Sequence, residues 1–60
     1  MFEELRKQAV ENLSRWLGTS EYDNREVVRY SDHYECSEID SHFEFKTQNL
    51  NVALDFLFPA

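Results

Sequence analysis

Glycine, proline and cysteine each occur once in this chain, as Gly18, Pro59 and Cys36. A single glycine excludes the glycine-rich loops that cradle phosphates, and it leaves few positions where the backbone turns without steric cost. A single cysteine excludes an intrachain disulfide and argues for a reducing compartment over a secreted, disulfide-stapled scaffold. Bases are also scarce: six against twelve acids, for a net charge of −6. Beyond Arg29 the only base is Lys46. A surface of that sign argues against direct DNA or RNA binding, which needs cations for the phosphates. Long apolar runs are missing too. The densest, Val52 to Phe58, carries Asp55 and is too short to span a bilayer. Met1 leads straight into amphipathic sequence without a signal-peptide pattern, so the expected location is cytoplasmic, or the host cytoplasm if the chain is phage-encoded. Repeats and low-complexity segments are not seen.

Apolar and aromatic residues are plentiful. Hydrophobic content is 42%, with nine aromatics, too much for a disordered chain. Sixty residues fit one small domain, 1–60, which buries only about 60% of its unfolded surface. So small a core, without staples, leans on a second copy or on a partner.

Phe2, Leu5, Ala9, Val10, Leu13, Trp16 and Leu17 recur at i, i+3, i+4 and i+7, which predicts an amphipathic helix from about residue 2 to 17. Glu3, Lys7, Glu11 and Arg15 line its other side at i, i+4 spacing. Gly18 stands where a helix C-cap glycine belongs. Thr19–Asn24 reads as a polar connection. From Arg25 the period changes to two: Val28, Tyr30, Tyr34 and Cys36 alternate with polar residues, with a bulge or turn near Ser31–Asp32. Ile39, Phe43 and Phe45 resume the alternation with the other parity, so a turn falls near Ser37–Asp40. The tail, residues 49–58, alternates well enough to favour a third strand over a helix, although its leucines and alanine suit a helix. Pro59 ends either element.

The expected fold is α+β: an N-terminal helix packed on a small antiparallel β-meander, αβββ, with αββα as the alternative. The expected core is Phe2, Leu5, Ala9, Leu13, Trp16, Val28, Tyr30, Tyr34, Cys36, Phe43, Phe45, Val52 and Leu54.

Chemistry-bearing residues concentrate in SDHYECSEIDSHFEFK, residues 31–46. His33, Cys36 and His42 match no zinc spacing, and parity sends Cys36 inward while both histidines point outward. A catalytic Cys–His pair fails for the same reason, so no catalytic residue and no cofactor is expected. His33 and His42 remain the candidates for metal binding or pH sensing. Charge pairing favours a four-residue turn, Ser37–Asp40, placing His33 opposite Glu44, Glu35 opposite His42 and Tyr34 opposite Phe43. The acids of this stretch, Asp32, Glu35, Glu38, Asp40 and Glu44, are expected to make an outward negative surface.

In size, acidity and want of catalytic equipment the chain resembles the small inhibitor proteins that phages and mobile elements encode, anti-CRISPR proteins among them. That resemblance implies a non-enzymatic binding module that occludes a surface of a larger, basic-surfaced protein, expected as a homodimer and away from membranes. Two surfaces suit the role: the acidic set above, and an apolar edge ending in Phe56, Leu57 and Phe58. The competing expectations are a DNA mimic, a regulator acting through His33 and His42, and a structural subunit of a larger assembly.

Overall fold

A computed structural model describes residues 2–59. The helix α1 (Glu3–Asn12) is followed by four strands, β1 (Thr19–Tyr22), β2 (Arg25–Arg29), β3 (Tyr34–Glu38) and β4 (Glu44–Thr47), and by a second helix, α2 (Leu50–Leu57). The strands form one antiparallel sheet in the order β1-β2-β3-β4. The α+β class and the meander are as expected; the tail is helical, and the sheet has four strands because β1 is added and the stretch from Arg25 to Cys36 forms two strands, β2 and β3.

The first strand, β1, arises where the sequence suggests only a connection. Asp23 and Asn24 both take positive φ, 48° and 68°. Short polar side chains tolerate that conformation, and two such residues in succession make the tight hairpin turn whose twist matches the strands. The hairpin pairs Ser20 with Val27 and Tyr22 with Arg25.

Between β2 and β3 the ladder closes at Arg29–Tyr34, leaving a four-residue loop. An even loop inverts parity across an antiparallel pair, so Cys36 faces Val27, not Val28. Val27 is therefore the fully buried valine. A single parity carried through Ser31–Asp32 selects the wrong one.

One row of side chains, Ser20–Val27–Cys36–Phe45, crosses all four strands on the face that both helices cover. Val27 and Cys36 pack there with Ala9 and Leu13 of the α1 segment, with Ala53, Leu54 and Leu57 of α2, and with Phe58. Each large aliphatic buried in such a core contributes roughly 1.5–3 kcal/mol before entropy is set against it.

The tail is helical because Asn49 caps it. The Asn49 side-chain oxygen accepts from the backbone amides of Asn51 (2.9 Å) and Val52 (3.4 Å), satisfying donors that a helix start otherwise leaves open. The sheet also needs cover on one face, which a strand at its edge would not supply. Leu57 and Phe58 accordingly lie in the core, and the apolar edge strand expected at Phe56–Phe58 does not form. Phe56 is half-buried, with its ring under the Arg25 guanidinium at 4.7 Å.

The helix α1 stops five residues short of the expected end. Beyond Asn12 the Ser14 hydroxyl donates to the Glu11 carbonyl (2.7 Å), and the chain turns back toward β2. Leu17, not Gly18, takes the left-handed conformation, at φ 58°. Gly18 is required for a different reason: a Cβ there would stand 1.9 Å from the Asn12 carbonyl oxygen. The early stop leaves Trp16 exposed, and Leu5, Phe43 and Val52 are exposed as well, all four of them expected in the core.

Candidate protein-binding face

Among the described residues no helix covers the opposite face of the sheet. Two rows cross it, Thr19–Val28–Glu35–Lys46 and Glu21–Glu26–Ser37–Glu44. Four carboxylates thus share the face with one ammonium. With strands about 4.8 Å apart, Glu21 and Glu44 stand about 14 Å from each other across the sheet. Lys46 lies opposite Glu35, a favourable cross-strand pair. Glu21 lies opposite Glu26, an unfavourable one.

An open depression in this face is lined by Glu26, Val28, Tyr30, Glu35, Glu44 and Lys46. At its border Tyr30 stacks on the imidazole of His33, with centroids 5.1 Å apart, and Trp16 meets Tyr30 edge-on at 6.3 Å. Trp16 is 58% exposed. Its neighbour Leu17 is held in the left-handed region by backbone bonds to the end of β2: the Leu17 amide donates to the Arg29 carbonyl (3.0 Å), and the Arg29 amide donates to the Gly18 carbonyl (2.9 Å). A branched side chain at positive φ is costly and persists only where its surroundings enforce it.

His33 is bracketed by carboxylates. Its Nδ1 lies 2.6 Å from Asp32 Oδ1 and its Nε2 lies 3.0 Å from Glu35 Oε2. Only the imidazolium can donate from both nitrogens at once. The Glu35 hydrogen bond, and then the Asp32 one, raise the His33 pKa above its ordinary 6.5. The same contact with His33 lowers the Asp32 pKa below 3.8. The Cys36 thiol, buried beneath the helices, is pushed up to about 11 by loss of solvation.

The five acids expected to form one surface are split by the fold. Glu35 and Glu44 are on the open face, and Asp32 joins its border through His33. Glu38 turns to the helix-covered side, where its Oε2 lies 3.6 Å from the Arg25 guanidinium. Asp40 sits in the β3–β4 loop, exposed. The expected hairpin register is displaced by four residues: Ser37 pairs with Glu44 and Cys36 with Phe45, and the loop spans residues 39–42. A shift of four leaves Tyr34, Cys36, Phe43 and Phe45 on the inner face and Glu35 and Glu44 on the outer one, but moves their partners. His33 therefore pairs with Asp32 and Glu35 rather than Glu44, and Glu35 faces Lys46 rather than His42. His33 and His42 lie at opposite ends of β3. Among the described residues no three His, Cys, Asp or Glu side chains converge as a metal would require.

Glu21 and Glu26 escape a reading of the sequence that overlooks β1. Their signal is present: on either side of Asp23–Asn24, Ser20 and Tyr22 alternate with Glu21, and Arg25 and Val27 alternate with Glu26. No helix among the described residues is long and apolar enough to cross a membrane. Comparison with protein-family models, curated proteins and solved structures finds no match to this chain.

Proposed function

We propose that this chain is a non-enzymatic binding module, a small acidic inhibitor or regulator that occludes a basic surface of a larger protein through the uncovered face of its sheet. The observation that supports this reading is the pairing, on one uncovered face, of four carboxylates with an aromatic border of exposed Trp16 and half-buried Tyr30. Carboxylates against Lys and Arg accelerate encounter and fix orientation. A tryptophan and a tyrosine at the border supply the large desolvated contacts in which binding energy concentrates, and either ring also accepts a guanidinium or ammonium on its face. The left-handed turn at Leu17 supports the same reading, since strain of that kind gathers where a side chain must be presented.

The test is affinity capture from lysate, followed by affinity measurements on the captured partner at low and high ionic strength. Binding should weaken steeply with salt, and Trp16→Ala should weaken it about tenfold or more. A partner whose binding ignores salt and tolerates Trp16→Ala would dismiss the open face as its site. Competition by duplex DNA for the same partner distinguishes a DNA-binding groove from any other basic surface.

A further inference from the structure

β4 ends the sheet, and among the described residues no strand pairs with its outer edge. The Glu38 amide donates to the Phe43 carbonyl at 3.1 Å. Antiparallel ladders alternate bonded and non-bonded pairs. The bonded pairs along β3–β4 are therefore Glu38–Phe43, Cys36–Phe45 and Tyr34–Thr47, and the backbone groups of Glu44 and Lys46 point away from β3. An open edge of this kind is a template for another strand.

Charge decides which strand fits. Three antiparallel self-pairings would match outward groups with outward groups. One sets Glu44 against Glu44 of a second copy, and one sets Lys46 against Lys46. The third, centred on Phe45, sets Glu44 against Lys46 twice. Only the third joins opposite charges, and it continues the open-face row as Glu35, Lys46, then the second copy's Glu44, alternating in sign. On the covered face it brings Phe45 against its own copy and Phe43 against Thr47. Phe43 is 52% exposed and already borders an aromatic group, 5.9 Å from Phe45 and 6.1 Å from Phe56 between ring centroids. The other edge, β1, is Thr-Ser-Glu-Tyr and carries no base to complement its glutamate.

We propose that a second copy of this chain pairs antiparallel with the β4 edge, centred on Phe45, so that Glu44 of each copy lies opposite Lys46 of the other. The product is a two-fold dimer with an eight-stranded sheet, in which the two open faces become one continuous surface and each chain's β1 edge remains free. The pairing stands apart from the reading of the open face as a partner site, because it is measured on the purified chain alone.

Sedimentation velocity across a dilution series tests it, with a charge exchange. The wild-type chain should pass from dimer to monomer on dilution, with no larger species. Glu44→Lys sets an ammonium against Lys46 of the other copy, and Lys46→Glu sets a carboxylate against its Glu44. Each variant alone should dimerise about tenfold more weakly or worse, since two symmetric pairs turn repulsive. Mixed together, every β4 pair is again opposite in charge, and the heterodimer should form at least as well as the wild-type dimer. Glu44→Pro removes an outward amide and no bond to β3, at the first position of a strand where proline is tolerated, and should be monomeric. A wild-type chain that stays monomeric at its highest concentration would overturn the proposal, as would assemblies beyond the dimer. So would variants that associate like the wild type, or a mixture that fails to pair.

Discussion

At the scale of single residues the strongest electrostatic arrangement is His33 between Asp32 and Glu35. Because the folded-state pKa of His33 lies above 6.5, the stability it adds is complete below pH 6.5 and is lost as pH rises through the folded value. For Asp32, lowered from 3.8, the contribution is complete above 3.8 and is lost as pH falls through the lowered value. The window in which both act lies between these limits, on the acidic side of neutrality. An NMR titration of the two imidazoles should show His33 titrating above 6.5. Glu35→Gln should bring it down further than Asp32→Asn does, because the Glu35 hydrogen bond is the larger cause. If neither substitution moves the His33 titration, the bracketing contacts are absent in solution. What is legible in the sequence is that His33 finds a glutamate on the outer face. The glutamate it finds is its own-strand neighbour Glu35, two residues on and on the same side, and not a partner across the hairpin; i, i+2 spacing on a strand carries that signal, which cross-strand charge pairing alone overlooks.

At the scale of elements, local chemistry and tertiary demand compete, and the mismatches show which won. Residues 49–58 alternate like a strand, yet the Asn49 cap and the need to cover Val27 and Cys36 make them a helix. Replacing Asn49 with Ala should cost about 1 kcal/mol, measured by urea unfolding, while Asn49→Asp should be near neutral because aspartate caps as well. Gly18→Ala should cost about 1–3 kcal/mol, because its Cβ would meet the Asn12 carbonyl and the backbone must move. A Gly18→Ala chain as stable as the wild type would show that the turn relaxes freely. The early end of α1 has a similar origin. Its periodicity runs on to Leu17 in sequence, but Ser14 bonds back to Glu11 and the chain is drawn to Arg29, so Trp16 leaves the apolar stripe for the surface. Periodicity reports which side chains are apolar. It does not report where a backbone must turn to close a sheet.

At the scale of the whole molecule the two faces of the sheet differ: one is core, and the other bears charge of which only part, Glu35 with Lys46 and His33, serves the fold. Glu21 opposite Glu26 is the clearest instance of the rest, since like charges in direct cross-strand opposition destabilise a small sheet. If the open face binds a basic partner as proposed, a solvent-open pair that costs stability is one that binding, and not folding, would account for. Glu21→Lys should therefore act in opposite directions on the two properties. Turning the repulsive pair into an attractive one should raise unfolding stability by about 0.5–1 kcal/mol at low ionic strength, and the gain should shrink as salt screens it. The same substitution should weaken binding to a basic partner, since it replaces an attraction with a repulsion. A chain stabilised by Glu21→Lys with its partner affinity unchanged would place the binding surface elsewhere. A chain whose stability does not change would show that Glu21 and Glu26 avoid one another in solution. The two readouts come from one variant, and only a gain in the first with a loss in the second fits a face held acidic for a partner.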